Sequence, residues 1–517
     1  MPSDILDRFA IVLHPSDHVA VARKSIAAGM ELIRDAVRIT VRSDIPQGHK
    51  LAIADVAPGE AVRKYGHVIG FASCPICAGD HVHTHNLTLG HVDRDYGFGA
   101  DYRPVQYHPP QSMRYFQGYL RHDGRAGTRN YLAVIPTVNC SASVCRYVAE
   151  RFPAAALRRD FPNVDGVIAL NHKGGCTMQP GEPHQLLARV LAGFARHPNV
   201  FSYVMIGLGC EGNQIEYVQK EHGLTTLRPG EPQPVFLGIQ TIGGTQKTVE
   251  RAVAAVAAML PAANACRRTP QPVSKLVLAE QCGGSDGNSG ITANPALGVA
   301  SDELVRYGGT SVLAETTEIY GAEHLLTRRA VSPDVARRLM DLIRWWERHA
   351  AMYGATIDNN PSPGNKAGGL TNIFEKSLGA VAKAGQSPLA AVYAYAQQIT
   401  ERGLVFMDTP GFDPVSMTGL VAGGCNIAVF TTGRGSVYGC KPVPCIKVAT
   451  NTALYQHMTD DMDINAGTIL DGTETIEQVG MRILEKIIAV AGGERTKSEM
   501  QGIGDEEFAP WPIGPTF

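Results

Sequence analysis

Four cysteines stand in the loops that follow four separate apolar runs of the sequence: Cys140, Cys176, Cys210 and Cys282. If those runs are strands of one parallel sheet, the loops at their carboxyl ends lie along one edge, where open α/β sheets bind ligands. Thiolates bind iron–sulfur clusters and soft metal ions. The pattern therefore predicts an iron site, either a cluster with one open iron or a single ion. The ordinary alternative for each free cysteine is a small core residue.

A second candidate metal site lies near the N-terminus, in the segment His81-Val82-His83-Thr84-His85. Side chains two positions apart on a strand share a face, so this spacing would bring His83 and His85 together. A pair of neutral imidazoles can hold a divalent metal. His83 and His85 are thus the alternative to the cysteine site, although each could simply be a solvated strand residue.

Two turn-rich loops in the C-terminal half carry cations that suit an acidic substrate. Loop 359–369 contains Lys366, and loop 431–436 contains Arg434. An arginine beside bare backbone amides suits bidentate capture of a carboxylate, although either loop could be only a turn. The candidate substrate-binding residues are Arg434, Asn365, Ser285 and Asp286.

Three side chains are candidates for proton transfer. His172 shares the loop of Cys176, Lys366 lies in the loop described above, and Glu318 follows the apolar run 312–314. All three residue types serve as general acids or bases in enzymes. Solvated or capping roles are the ordinary alternative.

The segment 207–212 (Gly-Leu-Gly-Cys-Glu-Gly) also fits the G-x-G-x-x-G pattern of dinucleotide-binding turns. That pattern normally has an acidic residue about 20 positions further on. Glu231 is near that spacing, but it lies in a turn rich in proline and glycine. A nicotinamide-dependent dehydrogenase is therefore one alternative class of function.

The elements that would position these residues follow from the alternation of short apolar runs with segments of helical composition. This alternation predicts βαβ units on a mainly parallel sheet. The predicted strands are 132–135, 167–170, 204–206, 235–239, 276–278, 312–314, 404–407 and 427–430. The predicted helices are 141–152, 185–197, 248–259, 332–349 and 475–492.

The first 92 residues have a different pattern, with short β segments broken by turn residues. They predict a small β domain. Segment 93–117 is rich in tyrosine, proline and glycine and has no apolar periodicity, which predicts a linker. The predicted fold class is therefore α/β, with a small N-terminal β domain and a larger, mainly parallel α/β body.

Composition excludes several classes of protein. The 517 residues carry 47 Lys and Arg against 49 Asp and Glu, which leaves no basic surplus for a nucleic-acid partner. No apolar stretch reaches 18 residues and the N-terminus lacks a signal-peptide pattern, so we expect no membrane association and a cytoplasmic location. An odd count of 11 cysteines favours reduced thiols over a disulfide scaffold.

Further motifs are spread over nearly the whole chain: 124–130 (Gly-Arg-Ala-Gly-Thr-Arg-Asn), 207–211, 282–286 (Cys-Gly-Gly-Ser-Asp), 290–295 (Gly-Ile-Thr-Ala-Asn-Pro), 360–369 and 432–435. Together they resemble the altronate/galactarate dehydratase family. Gly48-His49-Lys50 and the histidines at 81–85 resemble its SAF-type β-clip domain, in a form closer to the altronate members. Segment 411–414 and Cys440 depart from the family pattern.

The resemblance implies a β-clip (SAF-like) domain at 1–92, a linker at 93–117, a middle α/β domain at 118–268 that pairs subunits into a homodimer, and a Rossmann-like domain at 269–517. It also implies ferrous iron and a hydro-lyase that converts a sugar acid into a 2-keto-3-deoxy acid. An altronate-type aldonate is the expected substrate, and galactarate is the alternative. A sulfo-lyase and a non-catalytic sugar-binding protein are further alternatives, but the latter would leave the α/β body unexplained.

Dehydration of a 2,3-dihydroxy acid must remove a weakly acidic proton beside a carboxylate and expel a poor leaving group, the 3-hydroxyl. A metal and fixed cations lower both barriers. Our hypothesis is iron, or another divalent metal, near the four cysteines, with Arg434 and Lys366 on the substrate carboxylate. His172, Lys366 or Glu318 would then transfer the proton.

Overall fold

The computed structural model of the protein describes residues 4–35, 37–176, 178, 181–224 and 232–517. In the described part of the N-terminal region, up to residue 90, short strands form small, mostly antiparallel sheets in the orders β1-β4-β5, β2-β3-β6-β9 and β10-β8-β7. The strands are β1 (Asp4–Ile5), β2 (Ala10–Ile11), β3 (Val19–Ala22), β4 (Glu31–Arg34), β5 (Val37–Thr40), β6 (Lys50–Ala52), β7 (Ala61–Lys64), β8 (His67–Ala72), β9 (His81–Val82) and β10 (Leu87–Thr88).

The predicted linker segment is largely irregular, but its last three residues belong to a strand. This strand is β11 (Tyr115–Leu120), which pairs with β12 (Ala126–Gly127). Phe116, in this strand, is buried in the hydrophobic core of the C-terminal region. This contact fixes the end of the predicted linker, although the linker has no apolar periodicity.

The middle region carries a parallel sheet in the order β14-β13-β15-β16. Its strands are β13 (Tyr131–Pro136), β14 (Gly166–Ala169), β15 (Val200–Gly207) and β16 (Val235–Gly238). Its helices are α1 (Asn139–Ala149), α2 (Ala154–Asp160), α3 (Glu182–Ala195), α4 (Ile215–His222), α5 (Ile239–Ile242) and α6 (Thr245–Ala265).

Within residues 269–517, a parallel sheet of seven strands has the order β20-β21-β19-β18-β22-β23-β24, and β17 (Thr269–Pro272) pairs with β11 instead. The seven strands are β18 (Val277–Cys282), β19 (Thr310–Leu313), β20 (Leu389–Tyr393), β21 (Gly403–Met407), β22 (Ile427–Thr432), β23 (Cys445–Ala449) and β24 (Ile464–Asn465). The helices are α7 (Ala293–Arg306), α8 (His324–Thr327), α9 (Pro333–Met352), α10 (Pro363–Ala367), α11 (Ile373–Val381), α12 (Asp413–Ala422), α13 (Thr452–His457), α14 (Thr468–Asp471), α15 (Ile476–Ala491) and α16 (Lys497–Gln501).

The predicted α/β class is confirmed, and each predicted strand and helix overlaps an observed one. However, the predicted strands belong to two sheets rather than one. The sequence also missed β20, β23 and β24. In β23 the buried Lys447 interrupts the apolar run, and its ammonium donates to the carbonyl of Tyr438.

The helices begin at residues that satisfy free backbone amides. The Thr475 side chain accepts from the amide of Gln478 at the start of α15, and Ser362 and Asn365 form the same kind of reciprocal cap on α10. The N-terminal region shares a hydrophobic core with the C-terminal region, since Val62 and Ile69 cluster with Ile319 and Leu378. This shared core fixes the small β region against the large sheet.

Candidate active site

A crevice opens between the carboxyl ends of β18 and β22. These strands are neighbours, but the chain leaves β18 toward β19 and leaves β22 toward β23, on opposite sides. Such a switch point is where open α/β sheets bind ligands. The loops after the two strands are bonded to each other, because the amide of Arg434 donates to the carbonyl of Gly284 at 2.7 Å.

The N-terminal region reaches this crevice through Gly48-His49-Lys50. A Cβ atom added to Gly287 would lie 1.9 Å from the carbonyl oxygen of Gly48, so the backbones meet at a distance that only glycine permits. The buried ammoniums of Lys50 and Lys64 contact the Glu375 carboxylate at 2.9 and 2.8 Å. Burial would raise the pKa of Glu375, but the two lysines outweigh it and hold that pKa below its usual range.

Three histidines, which we call the histidine group, meet at this junction: His49, His81 and His83. Their ligand nitrogens lie within 4.8 Å of one another, and His49 Nδ1 is 2.9 Å from His81 Nε2. Burial, with the nearby positive groups, lowers the pKa of His81 to about 3 and of His83 to about 4, so their imidazoles are neutral. His83 Nδ1 is buried and has no hydrogen-bond partner among the residues that the structure describes. Neutral imidazoles with a free lone pair are the donor set of a divalent metal site.

The predicted pairing of His83 with His85 on a strand is wrong in its geometry. Strand β9 ends at Val82, and both residues lie in the turn that follows. His85 is exposed, and its ring stands 5.6 Å from that of His81. His83 meets His49 instead, with ring centroids 5.1 Å apart.

The segments that carry the two predicted cations lie beside the histidine group. His49 Nε2 lies 3.2 Å from the carbonyl of Ala367, the residue after Lys366. Arg434 passes close to Gly368, the residue after Ala367, because a Cβ atom added to Gly368 would lie 3.2 Å from Arg434 Cδ. Lys366 is half-buried and Arg434 is exposed. Among the described residues, no hydrogen bond from either side chain is found, so both are available to a ligand.

The other predicted substrate-binding residues lie at the crevice but are engaged in holding its loops. The Asn365 amide donates to the carbonyl of Ser285 at 2.8 Å. The Asp286 carboxylate accepts from Asn288, Ser289 and Thr450. Ser285 and Asp286 also line a cavity of about 10 Å³, which is room for about one water molecule.

Cys282, Glu315 and Glu318, which we call the Cys282 group, form a second set of metal-type ligands within 4.8 Å of one another. All three are buried, and burial raises the pKa of the Cys282 thiol to about 11. Lysines already bond this set: Lys383 Nζ donates to Cys282 Sγ at 3.0 Å, and Lys376 Nζ donates to Glu318 Oε1 at 2.6 Å. Glu318 is therefore paired inside the protein.

Glu315 has a backbone conformation that is rare for a residue with a side chain. Its φ of 65° lies in the left-handed region, two residues after the end of β19. Gln281 bridges its carboxylate to that of Asp413, at 2.6 and 2.9 Å. Non-glycine residues in this region cluster at functional sites, so Glu315 marks the Cys282 group as more than ordinary core.

The structure separates the four predicted cysteine ligands between the two sheets. Cys140, Cys176 and Cys210 are exposed and follow β13, β14 and β15, Cys140 in the first turn of helix α1 and the other two in loops, whereas Cys282 is buried at the end of β18. The expectation of one common sheet edge is wrong, because the strands before them belong to different sheets. No three of the four sulfurs lie within 4.8 Å of one another.

His172 is also engaged within the middle region. Its Nε2 lies 2.9 Å from the carbonyl of Pro136, and its Nδ1 accepts from the amide of Gly174. Both ring nitrogens are therefore used to join the loops after β13 and β14.

A side-chain carboxylate of the protein already occupies the backbone amides of the glycine-rich turn after β15. The Glu211 carboxylate accepts from the amides of Leu208 and Gly209, which a dinucleotide phosphate would otherwise use. Glu231, the acidic residue considered with this turn, lies outside the described residues. The turn therefore gives no support to a nicotinamide site.

Sequence reasoning missed Lys376 and Lys383, both buried beside the Cys282 group. A signal was present, since they stand seven positions apart in segment 373–384, in which only Glu375 and Ser377 are polar besides the two lysines. A lysine in such a segment needs an internal partner, because burial of an unpaired charge is costly.

Comparison with known proteins agrees with this architecture. The family profiles that match are Altronate/galactarate dehydratase SAF domain at 8–90, D-galactarate dehydratase/Altronate hydrolase, second domain, at 118–264, and D-galactarate/Altronate dehydratase, C-terminal, at 273–516. Among the described residues, no helix has the length and apolar character needed to cross a bilayer.

Similar proteins match over nearly their whole length. Altronate dehydratase of Bacillus subtilis (strain 168) is 36% identical over 98% of this chain and 99% of its own. Altronate dehydratase of Escherichia coli (strain K12) is 36% identical over 95% and 96%. Galactarate dehydratase (L-threo-forming) of the same strain is 38% identical over 98% and 97%. The chain therefore belongs to the altronate/galactarate dehydratase family and is an enzyme of the lyase class.

Proposed function

We propose that this enzyme removes water from an altronate-type sugar acid and forms a 2-keto-3-deoxy acid. One observation carries the proposal: the histidine group stands at the switch-point crevice beside the segments of two cations, Lys366 and Arg434, whose side chains make no hydrogen bond to the described residues. An acidic substrate with vicinal hydroxyls would meet both. The named activities of the full-length relatives support the same reaction.

We propose that the histidine group holds a ferrous ion. The donor set fits, because the imidazoles are neutral and His83 Nδ1 has no other partner. When bound, such an ion supplies Lewis-acid polarisation of carboxylate and hydroxyl oxygens. Imidazole also suits other divalent metals, and the choice of iron follows the family resemblance.

Arg434 is proposed to bind the substrate carboxylate. A fixed guanidinium would hold that carboxylate with similar strength in the bound substrate and while the proton at C2 leaves. A bidentate contact would also orient the substrate.

Lys366 is proposed to transfer the proton. Of the three candidates, His172 uses both ring nitrogens in the middle region, and Glu318 is paired with Lys376. Lys366 alone among them presents a side chain without a hydrogen bond to the described residues. Its position beside Ala367 sets it next to the histidine group.

A substrate panel tests the proposal. Aldonic and aldaric acids are incubated anaerobically with the enzyme and ferrous ion, and 2-keto acid is measured. We expect the highest kcat/KM with altronate. Preference for galactarate would establish the alternative substrate, and absence of 2-keto acid from every compound would refute the proposed function.

A further inference from the structure

Three exposed cysteines lie at one edge of the middle sheet and have no part in the function proposed above. The strands before them are neighbours in the order β14-β13-β15 and run parallel, so Cys176, Cys140 and Cys210 follow the same edge of the sheet, Cys140 in the first turn of α1 and the other two in loops. All three cysteines are exposed, whereas Cys145 on the same helix as Cys140 is buried.

Hydrogen bonds between the three loops hold the cysteines in fixed relative positions. The Asn139 amide, one residue before Cys140, donates to the carbonyl of Gly174 at 2.7 Å. The Asn139 side chain donates to the carbonyl of His172 at 3.0 Å. The Thr137 hydroxyl donates to Glu211, the residue after Cys210, at 2.6 Å. The loops therefore form one bonded surface.

Two of these cysteines have backbone or side-chain amides close by. Cys140 is the second residue of the 11-residue helix α1, in the first turn, where backbone amides have no partner within the helix. The Gln240 side-chain amide lies 3.8 Å from Cys210 Sγ and donates to it. Such N–H···S bonds are characteristic partners of metal-bound sulfur.

We propose that Cys140, Cys176 and Cys210 are the thiolate ligands of a [4Fe–4S] cluster whose fourth iron has no cysteine ligand. A single ion does not fit, since no three of these sulfurs lie within 4.8 Å of one another. A cluster binds each thiolate through a different iron, so its ligands stand further apart. Binding releases one proton from each thiol and transfers no electron.

This inference concerns a site in the middle region and does not depend on the histidine group. Cys282 takes no part, because it is buried in the other sheet and bonded to Lys383. His172 is a positioning residue here, since it joins the loops of Cys140 and Cys176 through Pro136 and Gly174.

Anaerobic reconstitution tests the cluster. Two ferrous ions, two ferric ions and four sulfides combine into [4Fe–4S]²⁺ without net electron transfer, so the full chain is supplied with that mixture. We expect about four iron and four acid-labile sulfide per chain, with the broad visible absorption of such clusters. Cys140→Ser, Cys176→Ser and Cys210→Ser should each lower both contents about threefold or more. Cys74→Ser, an exposed cysteine of the N-terminal region, is the matched control and should leave them unchanged.

Alkylation gives a second measurement on the unmodified chain. Loading should protect Cys140, Cys176 and Cys210 from iodoacetamide and leave Cys74 reactive. A wild-type chain that binds no sulfide, or serine variants that keep wild-type iron and sulfide, would overturn the cluster. The His81→Ala/His83→Ala variant should keep the cluster, which separates failure of this inference from failure of the proposed function.

Discussion

The histidine group and the Cys282 group each bring three metal-type ligands together, but they differ in their internal partners. Only the Cys282 group is already bonded to cations of the protein. In the Cys282 group, Lys383 bonds the thiol and Lys376 bonds Glu318, with every partner buried. In the histidine group the imidazoles are neutral, and His83 Nδ1 has no hydrogen-bond partner. A set of ligands whose charge is balanced by internal cations has little attraction left for an ion, whereas a neutral set with a free lone pair retains it.

The largest expected effect comes from removing the histidine group. His81→Ala/His83→Ala should abolish ferrous binding and lower kcat/KM by about 1,000-fold, because a metal supplies several kcal/mol of transition-state stabilisation. Steady-state kinetics and iron titration measure this. His91→Ala, on an exposed side chain, is the control and should match wild type. If the double variant kept full activity, the histidine group would not be the site of the catalytic metal.

Removing a lysine from the Cys282 group should act on stability. Lys383→Met leaves Glu315 and Cys282 without their buried cation, and loss of one partner of a buried pair costs about 3 kcal/mol or more. Denaturant unfolding measures the change in the free energy of unfolding. Lys486→Met, which breaks a partly exposed pair with Glu494, should cost less than about 1 kcal/mol. Equal effects would contradict the structural role of the internal cations.

The pKa of Glu280, a buried carboxyl on β18 that no lysine among the described residues bonds, makes the stability of the protein depend on pH. Burial raises its pKa from 4.5 to about 7. Between these values the folded state keeps a proton that the unfolded state releases, so stability falls as pH rises through this window and is constant above it. Glu280→Gln should therefore flatten this slope and raise the free energy of unfolding at pH 8 by about 1 to 3 kcal/mol. Unfolding curves at pH 4.5 and 8 measure it, and a variant less stable than wild type at pH 8 would refute the assignment.

The smallest effects separate the two cations beside the histidine group. Arg434→Gln should raise KM about tenfold with little change in kcat, because it removes a charge-assisted contact to the carboxylate worth about 1.5 kcal/mol. Lys366→Gln should lower kcat more than it changes KM. Neither should alter stability, since neither side chain is buried in the core. If Arg434→Gln instead lowered kcat and Lys366→Gln raised KM, Arg434 would transfer the proton and Lys366 would bind the carboxylate.

Prediction from the sequence worked best where a signal is local. Strands β13, β15, β21 and β22 are buried along their whole length, so they appear as continuous apolar runs. Strand β23 was missed because Lys447 breaks its run, and the carbonyl of Tyr438 that satisfies this lysine lies outside the strand. The domain boundaries, the homodimer and the cytoplasmic location stay predictions.

The candidate site was only partly accessible to the same reasoning. Lys366 and Arg434 stand in glycine-rich segments that indicate ligand binding, and the structure brings both segments to the crevice. The predicted loop around Lys366 is partly helical, since Lys366 lies in the short helix α10. The roles of the site residues stay predictions. The sequence showed His49 only within the Gly48-His49-Lys50 motif and not as a third member of the histidine group. Its partners His81 and His83 are more than 30 positions away along the chain, and its contact with Ala367 is 318 positions away.

The sequence alone determined the α/β class, through the alternation of apolar runs with helical segments, and the family, through motifs spread along the chain. Only the tertiary structure decided that the cysteine loops divide between two sheets and that His49 completes the histidine group. Periodicity reports how one segment is buried, which is a local property of its backbone. Which segments become neighbours depends on strand order and on apolar surfaces that distant parts of the chain bury together, and no local pattern records that.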